Sequence, residues 1–447
     1  MPDSTAAINH GYSHREVWRI AAPMILSAVS TPLVGLVDTA LMGHLDSPIF
    51  MAATAAGATI FSVLFMSLNF LRMGTTGVTA QAFGSSKKQA IVNSLAQPAV
   101  MAAILGLLLI ALQRPAIELS LSLLGLSDQT GLLAQQYFSV RILSAPVVLA
   151  NFVLTGWLLG MQNARGPLAI MLTINLTNIV LDLLFVISFG MGIKGVALAT
   201  LCAEFSGLLI GLIYLRSIAR SHRLDWSTIS LNRFQDYKKL LTINTNLFFR
   251  SIALMLTLAF ITARGARLGD VFLAANAVLM NFQLLLSYAL DGIAHAAEAL
   301  SGKALGAKNP AGLNKAVQSS LLWTLLLAAL FTCAYLVGGE FIINLMTNLP
   351  EVRATAYTYL PWIVASPFIS AGAFLYDGVL VGLTRSREMR LIMTGAAVLV
   401  FLPAWYLTRE FGNHGLWFAF MLFMATRSLA MHLCYKRIVK NTDLFAG

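Results

Sequence analysis

Asp38 is a carboxylate inside an apolar run, Val17–Gly43, VWRIAAPMILSAVSTPLVGLVDTALMG. A run of that length crosses the hydrocarbon core of a bilayer. An ionisable group kept there is costly, so it faces a polar cavity and works in it. A second acid, Asp182, lies in a later apolar run, with Asn178 one helical turn before it. Thr200 and Glu204 are a turn apart in the next run, and Asn151 lies in the run before Asp182's. At 1.5 Å per residue, Asp38, Asp182 and Thr200 all fall roughly 7–12 Å from the same membrane boundary. Neighbouring carboxylates repel when both are charged, and burial adds a desolvation cost. Reversible protonation near neutral pH is the chemistry such a pair offers. The same oxygens suit Na⁺, and the plainer reading is hydrogen bonding between helices. Pro23 and Pro32 interrupt the first run, and each removes a backbone donor and favours a kink.

The second half is less coherent. Asp291, His295 and Glu298 share a helix face at spacings i, i+4 and i+7. Arg250 and Asp377 sit within other runs, where a charge pair inside the bundle is the first reading and cation contact by Asp377 the second. Arg72 and Arg427, near span ends, are expected to snorkel.

These residues need helices to carry them, and the composition supplies them. The chain has 447 residues, 58% hydrophobic and 11% charged, with a mean hydropathy of +0.76. Soluble domains carry about 25% charged residues, so this is an all-α integral membrane protein. The net charge of +11 does not point to nucleic acid, because the basic residues lie between apolar runs. The three cysteines have no metal or disulfide spacing. The N-terminus lacks a signal-peptide pattern, so the first span is expected to stay in the protein.

Length and breakers predict about twelve spans: 17–43, 50–80, 91–112, 133–160, 167–190, 194–216, 239–264, 271–300, 314–338, 356–383, 389–409 and 415–438. Of the 30 Lys and Arg, twenty fall at one set of span ends. Six fall at the other: Arg114, Lys194, Arg264, Arg267, Arg353 and Arg409. The positive-inside rule then puts both termini in the cytoplasm. The halves also resemble each other at a shift of about 220 residues. Gln81–Gly84 faces Lys303–Gly306, Ser144–Pro146 faces Ala365–Pro367, and Leu159-Gly160 with Arg165 faces Val381-Gly382 with Arg387. Six spans per half make the repeat parallel, and two such bundles enclose a cavity that opens alternately to each side. The expected domains are an N-lobe over 1–220, a cytoplasmic linker over 221–238 and a C-lobe over 239–447.

Several motifs carry a family likeness. They include Pro23, Gly35–Ala40, His44–Pro48, Leu71–Met73 with Thr75–Gly77, Thr79–Gly84, Gly156–Gly160, Asn178–Asp182, Ala197–Thr200 and Tyr288–Gly292. Through them the chain resembles the multidrug and toxic compound extrusion (MATE) family, specifically its DinF branch, over essentially its whole length. The resemblance implies two six-helix lobes and export of cationic or lipophilic drugs or toxins driven by H⁺ or Na⁺. It carries Asp38, Asn178, Asp182 and Thr200 over as the N-lobe proton or cation site. It also carries Pro23 over as the bending point of the first helix. Asn151, Glu204 and Asp377 are further cavity candidates. The sodium-coupled NorM branch has more acids in its C-lobe, and only Asp377 looks similar here, which favours H⁺. Protonation of Asp38 is then expected to drive release. The alternatives are Na⁺-coupled antiport and flipping of a lipid-linked precursor. Intramembrane prenyl transfer or proteolysis would need paired Asp-rich or HExxH-type arrangements, which do not occur, so no enzyme activity is expected. No cofactor or metal is expected either. The expected setting is a monomer in the bacterial inner membrane.

Overall fold

The computed structural model describes residues 12–43, 48–125, 127–231 and 234–440. Side chains are described for these except at 31, 33–34, 36–43, 48, 123 and 234–236. Among the described residues there are helices and no strand. That is the expected outcome in lipid, where backbone groups have no water partner and must bond within their own segment. Eleven helical stretches are long and apolar enough to cross a membrane, from Ile49–Gly84 to Asn413–Lys440. Each coincides with an expected span, and the helices extend most of them by several residues. The first expected span lies in a further helix, α1 (His14–Gly43), of 30 residues. Large apolar side chains such as Leu336, Val337 and Leu345 point outward, as a chain solvated by lipid tails requires.

The remaining helices follow in order. The first six-span half continues with α2 (Pro48–Leu68), α3 (Phe70–Gly84), α4 (Lys88–Ala111), α5 (Gln113–Leu124), α6 (Asp128–Arg141), α7 (Ala145–Gly160), α8 (Arg165–Asp182) and α9 (Gly192–Ser221). The second half holds α10 (Phe234–Leu268), α11 (Asp270–Gly306), α12 (Pro310–Met346), α13 (Pro350–Gly382), α14 (Ser386–Gly395), α15 (Leu402–Thr408) and α16 (Asn413–Lys440). The short helix α5 was not expected from the sequence. The polar connection is tighter than the 221–238 linker, because α9 runs to Ser221 and α10 starts at Phe234. A short 3₁₀ turn interrupts it, where Asp225 accepts the Ser227 N–H at 2.9 Å. That bond holds the exposed Asp225 carboxyl below its usual pKa.

The repeat is legible in the packing. Gly156 faces the Arg72 carbonyl so closely that a Cβ would lie 2.4 Å from it; Gly378 faces the Ala294 carbonyl, where a Cβ would lie at 2.1 Å. Gly160 sits against Thr76 and Thr79, and Gly382 against Glu298 and Ser301. All five pairs of positions, two of glycines and three of the residues they face, are related by a shift of 222 residues. Among the described residues, four of the five non-glycine residues with left-handed backbone obey the same shift, Ser86 with Lys308 and Gln162 with Thr384. At Gln162 and Thr384 the helix ends in matching backbone bonds, Asn163 N–H to Leu158 and Arg385 N–H to Leu380. The fifth and eleventh spans each contain a six-residue π segment, Leu183–Ser188 and Ala396–Phe401.

By contact, the chain divides into one unit of residues 26–240 and another that joins residues 241–447 to the N-terminal segment through Ile25. The first unit has a core of Phe61, Tyr137, Phe138 and Ile142. The second has one of Phe282, Phe401, Trp417 and Phe423. The N-terminal end of the expected N-lobe therefore differs from the contact division: described residues 12–25 pack with the C-terminal half. Trp18 and His14 meet Trp323 edge-on, at 5.1 and 6.2 Å between ring centres. Tyr12 lies under Lys303, whose Nζ is 5.3 Å from the ring centre. Gly292 lets α1 approach α11, since a Cβ there would strike Ile25. The single helix α1 is thus shared, and the division falls two residues after Pro23.

Candidate ion and substrate site

In the unit of residues 26–240, α8 carries the amphiphilic face that the sequence predicts. Asp182 is wholly buried, and Asn178 nearly so. Asn178 Nδ2 donates to Thr200 Oγ1 at 3.3 Å, and Thr200 in turn donates to the Val196 carbonyl at 2.9 Å. Asn178 and Thr200, 22 residues apart, are therefore brought together across α8 and α9. Asp182 is the last α-helical residue before the π segment Leu183–Ser188. Such a bulge widens the helix locally and recurs at functional positions. A turn earlier on α8, Asn175 Nδ2 donates to Ser30 Oγ of α1 at 2.8 Å. Asp38 lies eight residues beyond Ser30 in α1, and its side chain is outside the described residues.

One turn along α9 from Thr200 a second polar cluster forms. Asn151 of α7 donates to both the Glu204 carbonyl and Glu204 Oε2, each at 3.0 Å. The Glu204 carboxylate also lies 3.6 Å from the Arg141 guanidinium. Arg141 hydrogen-bonds Ser144, and its guanidinium carbon is 5.5 Å from the ring centres of both Phe61 and Phe65. The sequence marks Asn151 and Glu204 as cavity candidates and gives Arg141 no role. The signal was depth: Arg141 is eight residues into its span and Glu204 ten into its own, about 12 and 15 Å from the same boundary. The aromatic pair had no such signal, because Phe in a span is ordinary.

In the other unit, Asp377 is enclosed by guanidiniums. Arg250 Nε donates to Asp377 Oδ1 at 3.2 Å, and Arg250 also engages Oδ2. Arg427 reaches the same Oδ2 at 3.6 Å. Asp291 accepts from Ser287 at 3.0 Å, and His295 lies 3.3 Å from Glu298. Arg427 is buried rather than snorkelling, because Asp377 supplies its counter-charge. Pro23, half-buried, lies within the unbroken helix α1. No group of three or more His, Cys, Asp or Glu suited to a metal occurs among the described residues.

The MatE family model matches the chain twice, over residues 23–184 and 247–407. The chain belongs to the MatE family. The two matches are offset by nearly the same shift as the glycine packing. The chain is 42% identical over 440 residues to the DNA damage-inducible protein F of Escherichia coli strain K12, covering 97% of this chain and 95% of that protein. It therefore belongs to the DinF branch of MatE proteins. It is 23% identical over 441 residues to the probable multidrug resistance protein NorM of Bacillus subtilis, covering 96% of each. A crystal structure of a MATE protein in the straight conformation superposes with a TM-score of 0.88 at 18% identity, covering 99% of this chain and all of that one. At that identity the likeness shows the shared fold: a MatE multi-pass membrane architecture of two six-span halves.

Proposed function

We propose that this MatE-family chain is a secondary multidrug exporter. It antiports cationic or lipophilic small molecules against inward proton flow by alternating access. It works as a monomer in the bacterial inner membrane with both termini cytoplasmic. Asp38 and Asp182 carry the proton, Asn178 and Thr200 orient them, and α1 bends near Pro23. The observation that carries this reading is Asp182, an acid with no exposed surface in a membrane span, beside the Asn178–Thr200 bond. The Ser30–Asn175 bond supports the partnership of α1 with α8. From that bond Asp38 is eight residues on and Asp182 seven, and two odd-numbered spans run in the same direction, so their backbones reach similar depth. NorM relatives named as probable multidrug resistance proteins support the substrate class.

The driving force is sufficient. A proton moving inward along 100 mV releases about 2.3 kcal/mol, and each pH unit adds about 1.4 kcal/mol. To couple, protonation must favour one conformation over another. Neutralising Asp38 weakens its hold on the α8 face, and α1 then bends where its N-terminal segment, packed with the other unit, meets the remainder. Related MATE structures described as bent and straight support such a motion.

The test is drug efflux from proteoliposomes with the pH gradient and the sodium gradient imposed separately. Proton coupling predicts efflux that follows the pH gradient, with Asp38→Asn and Asp182→Asn each folded but uncoupled. Efflux that follows sodium alone would replace H⁺ by Na⁺, for which the same carboxylate, amide and hydroxyl oxygens are suitable ligands. Translocation of a lipid-linked precursor without drug efflux would overturn the exporter reading.

A further inference from the structure

The six Lys and Arg at the ends of the spans away from the chain termini are not evenly spread. Arg264, Arg267 and Arg409 border one cavity of about 510 Å³ in the unit that holds residues 241–447. Trp405, Tyr406 and Leu416 also form part of its wall. Two of the guanidiniums are fixed by stacking: the Arg264 carbon lies 4.2 Å from the Trp405 ring centre, and the Arg409 carbon 4.4 Å from that of Tyr406. Stacking holds the plane of a guanidinium while leaving its N–H edge open to an anion. Among the described residues none of the three forms an ion pair or a side-chain hydrogen bond. Arg264 and Arg267 belong to the end of α10, and Trp405 and Tyr406 to α15. Arg409 belongs to the short 3₁₀ turn Arg409–Phe411 that follows it, and Leu416 to the start of α16. Just outside, Leu407 and Phe411 are 76% and 71% exposed.

We propose that this cavity binds the phosphate headgroup of an anionic membrane lipid. Three convergent guanidiniums match phosphate oxygens by charge and by bidentate geometry. Trp and Tyr suit the interface between headgroup and acyl chain. The exposed Leu407 and Phe411 offer the acyl chains an apolar surface beside the charged one, which a free phosphate would not use. Gathering half of that end's basic residues in one place runs against a scattered set of topology signals. The site is separate from the carboxylates of the proposed transport path and does not depend on which ion drives them.

The purified full-length protein in neutral detergent is titrated in turn with dioleoyl phosphatidylglycerol, dioleoyl phosphatidylcholine and inorganic phosphate. Binding is read by native mass spectrometry and by thermal melting. Each arginine near a headgroup contributes about 1 kcal/mol, so phosphatidylglycerol should be retained about tenfold or more over phosphatidylcholine. The Arg264→Gln/Arg267→Gln/Arg409→Gln variant should lose that preference, and Arg114→Gln, an exposed arginine elsewhere, should keep it. Equal retention of the two lipids by the natural sequence would overturn the proposal without needing any variant. So would an unchanged preference in the triple variant. Inorganic phosphate that stabilises the protein as strongly as the lipid would overturn the lipid assignment in favour of a free anion.

Discussion

At the scale of single residues, two of the acids within spans are answered by arginines. Glu204 has Arg141, and Asp377 has Arg250 and Arg427. Breaking a buried pair from one side leaves a charge stranded, at about 3–5 kcal/mol, whereas replacing both partners with apolar groups is close to neutral. Arg141→Met should therefore lower the melting temperature sharply. Arg141→Met/Glu204→Met should recover most of it, since Asn151 keeps the Glu204 backbone carbonyl as acceptor. Melting curves of the two variants in one detergent check this, and a double variant as unstable as the single would show that the pair is not the cause. For transport, Asp377→Asn should still respond to a pH gradient, because Asp377 is already engaged by two guanidiniums. Efflux assays with the gradients applied singly check that, and loss of the pH response would bring the second unit into the proton path. The Asn178–Thr200 contact was readable from spacing and depth. The Arg141–Glu204 contact was readable only in part, because depth alone does not say which faces of two helices meet.

Helices bring their own tests. Where Gly156 and Gly378 meet a facing carbonyl, a methyl group has nowhere to go, and overpacking of this kind costs about 1–3 kcal/mol. Gly156→Ala and Gly378→Ala should both destabilise the protein, and by similar amounts because the two sites repeat one another. Gly338 has open space around it two turns before the end of α12. Gly338→Ala should be neutral or stabilising by about 0.5–1 kcal/mol. The three melting temperatures together check the packing repeat. In α1, Pro23→Ala restores a backbone donor and stiffens the helix. The proposed bend then predicts drug binding close to normal with efflux reduced severalfold, read by binding and transport on one preparation. Normal efflux would remove the bend from the mechanism. The spans themselves were legible because a bilayer demands long apolar stretches. The helix α5 was not, because twelve residues at a membrane edge carry no such demand. Nor were the π segments, which depend on how neighbouring helices press on the span.

For the molecule as a whole, the shared helix has a consequence for assembly. Limited trypsin digestion should cut first in the polar connection, where Arg223 is exposed between the end of α9 and the start of α10. The two fragments should nonetheless stay together in mild detergent, because residues 12–25 pack with the C-terminal unit. Size exclusion of the nicked protein as one species, giving two bands under denaturing conditions, is the expected result. Fragments that separate would show that the aromatic contacts of His14 and Trp18 with Trp323 do not hold the N-terminal segment.

What the amino-acid sequence determined by itself was everything that a membrane makes local. The number of spans, their boundaries within a few residues, the internal repeat and the rarity of the acids within spans all follow from apolar length and charge placement along one dimension. The tertiary structure decided which buried charges meet. It paired Glu204 with Arg141, added Arg427 to the Arg250–Asp377 pair that the sequence had offered, and gathered Arg264, Arg267 and Arg409 around one cavity. It also split α1, giving its first turns to the C-terminal half. Partner choice between distant helices depends on their rotation and closeness. A few glycines opposite carbonyls set that closeness, and periodicity along the chain does not encode it.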